Sequence, residues 1–289
     1  MINRLCIIGV GLIGGSLSRA LREKGFCRHV IGCGRDERHL QRARQLGVIN
    51  EYSTDPANAV QGADMIVVSV PLRAMQSVFE QIDPHVPVDA VLTDVGSAKA
   101  CVETAARKTL SGSLDRFVPG HPIAGTENSG VEASFAELYQ GHKVILTPLE
   151  ENTRETIGRV KAMWEATGAN VQQMTAAHHD EVLAETSHLP HVLAFALVDT
   201  LSHMGDSDEV FQYAAGGFRD FTRIASSDPV MWRDICMENR DAILKILDRY
   251  MSDLENLREV ISKSDLEMLQ KIFSRAKDAR DKYTQKYSS

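Results

Sequence analysis

Short apolar runs alternate with longer amphipathic stretches through the first half of the chain. The runs at 4–10, 30–33, 65–70, 90–94 and 144–148 lack the in-and-out polar alternation of a half-exposed strand, so they read as strands buried on both faces. Helical spacing fills the intervals at 13–24, 37–46, 73–82, 98–110 and 153–167, several of them ending near glycine or proline, and a last strand is placed at 170–173. Alternation of this kind predicts a parallel sheet covered by helices. Beyond Thr175 the β-branched runs vanish, and long amphipathic patterns at 177–203 and 232–261 predict an all-helical second half. The expected organisation is an α/β domain over residues 1–174 and an all-helical domain over 175–289.

Within the helical half, Leu244, Leu247, Met251, Leu254, Leu257 and Ile261 recur at three- and four-residue steps. Such a stripe is expected to form domain core. A helical domain this small also has apolar surface to spare for a second copy of the chain, so a homodimer through the helical domain is expected. A length of 289 residues suits two domains, and 43% hydrophobic with 25% charged residues suits a globular chain. The net charge is -7 and the lysines and arginines are dispersed, which argues against nucleic acid as a partner. The apolar stretch at 5–17 is broken by Gly9, Gly11, Gly14 and Gly15, which suits a strand and turn and neither a signal peptide nor a membrane span. The chain is therefore read as cytoplasmic, with no membrane partner. Cys6, Cys27, Cys33, Cys101 and Cys236 stand singly, with no Cys-x-x-Cys pair to hold zinc and no disulfide framework. The lysine-rich stretch 277–289 reads as a solvated helix end.

The first chemical signal follows the first strand. Gly9, Gly11 and Gly14 form a Gly-x-Gly-x-x-Gly pattern that opens directly into a helix, the arrangement of a Rossmann-type dinucleotide-binding domain. Gly9 permits the tight turn, Gly11 lets a pyrophosphate approach the backbone, and Gly14 lets helix pack on strand. Leu12 and Ile13 lie in the first turn of that helix, whose free N–H groups and dipole favour an anion. Where an NAD enzyme would place a ribose-binding acid, the chain has Gly34 followed by Arg35, with Arg38 one turn later. Asp36 either caps the next helix or holds the ribose itself. The first option is preferred, and with it NADP over NAD. Val70 and Pro71, ending the strand at 65–70, and Asp94 with Ser97, ending the strand at 90–94, complete the candidate cofactor edge.

Further constellations bear on catalysis. His121 stands between Gly120 and Pro122 in a loop that runs on to Thr126 and Glu127, which holds an imidazole in extended backbone. Its ordinary pKa of roughly 6.5 suits it to take a proton near neutrality, although a structural turn histidine is the plainer reading. Ser97 is equally an N-cap or a functional hydroxyl. His178, His179, His188 and His191 cluster in sequence around Asp180, Ser187 and Pro190, with no catalytic zinc spacing, so no metal is expected; they are core histidines or substrate hydrogen-bond donors. Proline in that helical pattern predicts a kink or break. Lastly, Gly216 and Gly217 open a segment carrying Asp220 and Arg223 on one helical face, either an ordinary ion pair or a guanidinium fork for a carboxylate.

Taken in order and spacing, these segments resemble the prephenate and arogenate dehydrogenase family over nearly the whole chain. The resemblance implies a 6-phosphogluconate dehydrogenase-like fold, an N-terminal Rossmann-type domain followed by an all-helical C-terminal domain. It implies a cyclohexadiene substrate, prephenate or arogenate, that loses hydride from C4 to NAD(P) and a carboxylate from C1 as carbon dioxide. His121 would take the C4 hydroxyl proton, Ser97 would hold that hydroxyl, and Arg223 would bind a substrate carboxylate. His188, Thr126 and Gly217 would line the substrate side, with Glu127 and Asp220 ordering the arginine. Neither a fused chorismate mutase nor an appended ACT domain is expected, which leaves feedback by tyrosine in doubt.

Two other readings compete. A β-hydroxyacid dehydrogenase would need a lysine on a domain-linking helix, and the chain has none between Lys161 and Lys245. A non-catalytic NADP sensor would have no use for His121 or Arg223 in these settings.

Overall fold

Leu5, Cys6, Ile7 and Ile8 are all buried because their strand, β1 (Ile2–Ile8), lies within a sheet covered on both faces. Leu5 and Ile7 join one apolar cluster, Cys6 and Ile8 the other. The computed structural model describes residues 1–204 and 207–287. After β1 come α1 (Leu12–Glu23), β2 (Cys27–Cys33), α2 (Glu37–Gln45), β3 (Glu51–Ser53), α3 (Pro56–Ala59), β4 (Met65–Val68), α4 (Met75–Ile82), β5 (Val91–Asp94), α5 (Ala100–Thr109) and β6 (Phe117–Val118). These six strands form one parallel sheet in the order β3-β2-β1-β4-β5-β6. The chain fills one side of β1 and then crosses to the other, so the carboxyl ends of β1 and β4 border the crevice where ligands bind in open α/β sheets.

The next strands depart from the expected single sheet. β7 (Gly120–Pro122), β8 (Lys143–Leu146) and, beyond α6 (Arg154–Glu165), β9 (Asn170–Gln173) form a separate three-stranded sheet. β7 runs antiparallel to β8, placing His121 opposite Ile145, and β9 runs parallel to β8. The run at 144–148 thus pairs on one side with a three-residue strand ending in proline, too short to leave a period in the sequence, and on the other with 170–173.

Every described element after β9 is helical: α7 (Ala176–Leu183), α8 (Leu189–Ser202), α9 (Ser207–Gln212), α10 (Gly216–Thr222), α11 (Pro229–Glu238), α12 (Arg240–Ser262) and α13 (Leu266–Tyr287). The pattern at 177–203 does not form one regular α-helix. A π-helical turn over Ala184–His188 separates α7 from α8 without breaking the helical backbone, and Pro190 falls directly after it.

Contacts divide the chain into compact units at 1–242 and 243–289. In the second unit the chain turns between helices at Ser264, whose φ is 52°. The stripe expected as core is largely exposed there, with Leu244 at 47%, Met251 at 52%, Leu254 at 44% and Ile261 at 56%. Helix α13 carries the lysine-rich end as far as Tyr287, and Ser288 and Ser289 lie outside the described residues. Among the described residues no helix is long and apolar enough to cross a membrane.

Candidate active site

The turn from β1 into α1 separates the three glycine roles. Gly9 has a left-handed φ of 98°, and a Cβ there would lie 2.0 Å from the Ser69 carbonyl oxygen of the β4 loop. A Cβ on Gly14 would fall 2.4 Å from the carbonyl oxygen of Gly9, while one on Gly11 would meet nothing within 4 Å. Gly11 therefore faces the open cradle. Helix α1 begins at Leu12 with no side chain capping its first turn and no acid within that turn, so its amides and dipole are free for an anion. The Tyr139 hydroxyl donates to the Ile13 carbonyl at 2.6 Å and steadies that turn. A dinucleotide pyrophosphate fits this cradle.

Gly34, Arg35, Asp36 and His39 line the same hollow as Gly9 and Gly11. One Asp36 carboxylate oxygen accepts from the N–H groups of Arg38 at 2.9 Å and His39 at 3.3 Å, capping α2. The His39 ring bonds the Val10 carbonyl at 2.7 Å, tying α2 to the glycine turn. The side chains of Arg35 and Arg38 are exposed and form no ion pair among the described residues. Val70 packs beside Gly9, and Pro71 is exposed at the end of the β4 loop.

The end of β5 is built around a buried ion pair. Asp94 is fully buried, and Lys99 Nζ lies 2.5 Å from its Oδ2. Gly96 N–H also donates to Oδ2, at 2.7 Å, and Gly120 N–H to Oδ1, at 3.1 Å. With its carboxylate engaged by Lys99, Gly96 and Gly120, the Asp94 side chain shapes the loop. Lys99, not singled out in the sequence, bridges this loop to the histidine segment by donating to the Gly120 carbonyl at 2.8 Å. Ser97 sits half-buried between these two anchors.

His121 is 8% exposed, and its Nδ1 stands 2.8 Å from His179 Nε2. His179 Nδ1 in turn stands 2.7 Å from Asp180 Oδ1. The Asp180 carboxylate accepts from the backbone N–H groups of Lys99 at 2.8 Å and Ala100 at 2.9 Å, locking α7 onto the start of α5. Burial, reinforced by repulsion from His179 and the Lys99 ammonium, holds His121 well below the usual imidazole pKa. Burial likewise lowers His179, against the opposing hydrogen bond that it donates to Asp180.

His188, in the π turn, is buried beside the Ser97 backbone, and its pKa is pushed down to about 4, chiefly by burial. Asn239 Nδ2 donates to its Nδ1 at 3.1 Å, while its Nε2 has no hydrogen-bond partner among the described residues. Trp232 joins this group to the next. Its ring meets His188 edge-on at 6.0 Å and stacks on His191 at 3.7 Å. Burial lowers the His191 pKa, with a lesser contribution from the positive charge of Arg223. The sequence offers His191 as a core histidine or substrate donor but gives Trp232 no role; the aromatic stack joins residues 41 positions apart and leaves no local pattern.

Arg223 Nη1 lies 3.3 Å from Glu127 Oε2, so the arginine loop and the His121 loop meet. Among the described residues Asp220 forms no ion pair with the arginine. Helix α10 ends at Thr222, Arg223 begins a tighter turn, and the ion pair goes to Glu127 instead. The Thr126 hydroxyl accepts from Asn128 N–H at 3.2 Å within an exposed turn. Gly217 is exposed in the first turn of α10, with nothing within 4 Å of a Cβ placed on it. Among the described residues no three histidine, cysteine or acidic side chains gather to hold a metal.

Sheet order and glycine cradle define the class first: a dinucleotide-binding dehydrogenase fold carrying a buried histidine beside its ligand crevice. Residues 17–173 match the nucleotide-binding domain of prephenate dehydrogenase and residues 175–275 the prephenate dehydrogenase dimerization domain. The chain belongs to the prephenate and arogenate dehydrogenase family. Cyclohexadienyl dehydrogenase of Zymomonas mobilis is 40% identical over 284 residues, which span 96% of this chain and 95% of that protein. The crystal structure of prephenate dehydrogenase from Aquifex aeolicus, in complex with hydroxyphenyl propionate and NAD+, matches with a TM-score of 0.90 at 38% identity over 98% of each chain. The structure of Synechocystis arogenate dehydrogenase matches with a TM-score of 0.80 at 29% identity, over 97% of this chain and 99% of that one.

Proposed function

We propose that the protein oxidatively decarboxylates prephenate to 4-hydroxyphenylpyruvate, or arogenate to tyrosine, as a step of tyrosine biosynthesis. The observation that carries this reading is His121: a buried imidazole, kept neutral by its surroundings, between the crevice loops and the Arg223 segment. With its pyrophosphate in the glycine cradle, the dinucleotide would supply an oxidised nicotinamide as acceptor for the C4 hydride. His121 takes the proton of the C4 hydroxyl, and Ser97 holds that hydroxyl in place. As the C4 oxygen becomes a carbonyl, the electrons of the C1–carboxylate bond move into the ring and carbon dioxide leaves. His121 returns its proton to the phenolic oxygen as the ring becomes aromatic. Arg223 binds a substrate carboxylate, and His188 supports the substrate side.

The cofactor reading is NADP ahead of NAD. Asp36 is engaged as a helix cap, leaving Arg35 at the hollow where a 2′-phosphate would lie and Arg38 one turn later, neither of them in an ion pair among the described residues. The exposed stripe from Leu244 to Ile261 supports a homodimer through the helical domain, taken as 175–289, with cofactor binding assigned to 1–174. Sedimentation equilibrium that finds only monomer would sink the dimer.

The deciding experiment follows absorbance at 340 nm with prephenate and with arogenate, each with NAD and with NADP, for wild type and His121→Asn. The expected result is reduced cofactor, fastest with NADP, and a loss of at least about a hundredfold in the variant. No reduced cofactor in any of the four combinations would overturn the reading.

A further inference from the structure

The histidine pair does more than pack. An ionised carboxylate can only accept hydrogen bonds, and Asp180, met by two backbone N–H groups and by His179 Nδ1, has the surroundings of an ionised one. His179 therefore carries a hydrogen on Nδ1. Burial and the nearby Lys99 ammonium keep His179 neutral, so its Nε2 holds a lone pair. That lone pair needs a donor, and the atom 2.8 Å away is His121 Nδ1. The hydrogen between the two rings then belongs to His121, and the lone pair of His121 is on Nε2.

We infer that Asp180 and His179 are positioning residues for the base, fixing His121 in the Nδ1–H tautomer so that Nε2 is presented as the proton acceptor. The inference rests on the reading of His121 as base. Solvated histidine favours the opposite tautomer, with hydrogen on Nε2, which would turn a donor toward the substrate hydroxyl. The chain of bonds removes that state. The charges of the cluster agree with it: Asp94 and Asp180 against Lys99 leave one net negative charge while both imidazoles are neutral, and a proton taken at His121 Nε2 brings the sum to zero. No group needs to move for this. Asp180 is itself anchored by the first amides of α5, next to the Asp94–Lys99 pair, so the tautomer is set by rigid elements on both sides.

The test begins with the unaltered full-length protein, labelled with 15N-histidine and observed without ligand at pH 8 by long-range proton–nitrogen correlation. His121 is identified by the signals missing in His121→Asn. Hydrogen on Nδ1 is expected; hydrogen on Nε2 would overturn the inference. Two variants then separate positioning from packing. His179→Gln keeps an acceptor for His121 and a donor for Asp180, whereas His179→Leu keeps neither. The leucine variant is expected to lose kcat by at least about tenfold with KM nearly unchanged, and the glutamine variant to stay within a few-fold of wild type. Equal losses in both, or none in the leucine variant, would count against it. His121→Asn at full turnover would instead remove the base reading, a different failure from finding the wrong tautomer in the wild-type protein.

Discussion

Lys99 Nζ and Asp94 Oδ2 stand 2.5 Å apart with both side chains wholly removed from solvent. Taking one partner away from such a pair leaves an uncompensated buried charge, which costs about 3–5 kcal/mol. Asp94→Asn should therefore lower the unfolding free energy by about that amount, read from the urea midpoint at constant slope. Dinucleotide affinity of the protein that remains folded should hardly change, because the carboxylate faces Gly96, Gly120 and Lys99. A large affinity loss with little loss of stability would return Asp94 to the cofactor.

The glycine turn gives a contrast between two neighbouring substitutions. At Gly14 a methyl group would sit 2.4 Å from a backbone oxygen, so backbone must shift; at Gly11 it would meet no protein atom within 4 Å. Gly14→Ala should thus reduce thermal stability, whereas Gly11→Ala should leave it unchanged and weaken dinucleotide binding. Calorimetry of binding on both variants checks this. Equal affinity of Gly11→Ala and wild type would show that the pyrophosphate does not approach Gly11.

These glycines were legible before any coordinates because a turn, a strand and a helix impose local spacing. The same holds for Asp36, whose capping role follows from its place one residue before α2. The Asp94–Lys99 bond was not legible, since the glycines, serine and alanine around it read equally as a ligand-binding loop. Nor was the ring pair, because His121 and His179 are 58 residues apart and belong to a three-residue strand and a helix of the other half. Long apolar stripes misled in the opposite direction: Leu244 to Ile261 has the period of core yet is mostly exposed in the chain taken singly. Period reports that a face is to be covered and does not say by what.

Buried neutral imidazoles make stability depend on pH in a definite direction. The His188 pKa is lowered from 6.5 to about 4, and those of His121 and His179 are also lowered. The unfolded chain therefore binds protons first as pH falls. The contribution of these groups is complete above about pH 6.5 and is lost on the way down toward pH 4. His188 alone accounts for about 2 kcal/mol between pH 7 and pH 5. Urea denaturation at the two pH values should show a decline of at least this size, and a flat profile would mean that the histidines are hydrated or charged in the folded protein.

Arg223 and Glu127 are 62% and 41% exposed, so their bond at 3.3 Å adds little to stability. Its effect should be felt in substrate binding. Arg223→Ala removes the guanidinium that would meet a substrate carboxylate, a contact worth about 1.5–3 kcal/mol, and KM should rise roughly ten- to a hundredfold. Glu127→Gln leaves the guanidinium in place but loosens it, so KM should rise only a few-fold while the melting temperature stays put. Neither change touches His121, and kcat at saturation should fall far less than in His121→Asn. Steady-state kinetics on the two variants decides the matter: an unchanged KM in Arg223→Ala, or a collapse of kcat with KM unmoved, would mean that the substrate carboxylate is held elsewhere.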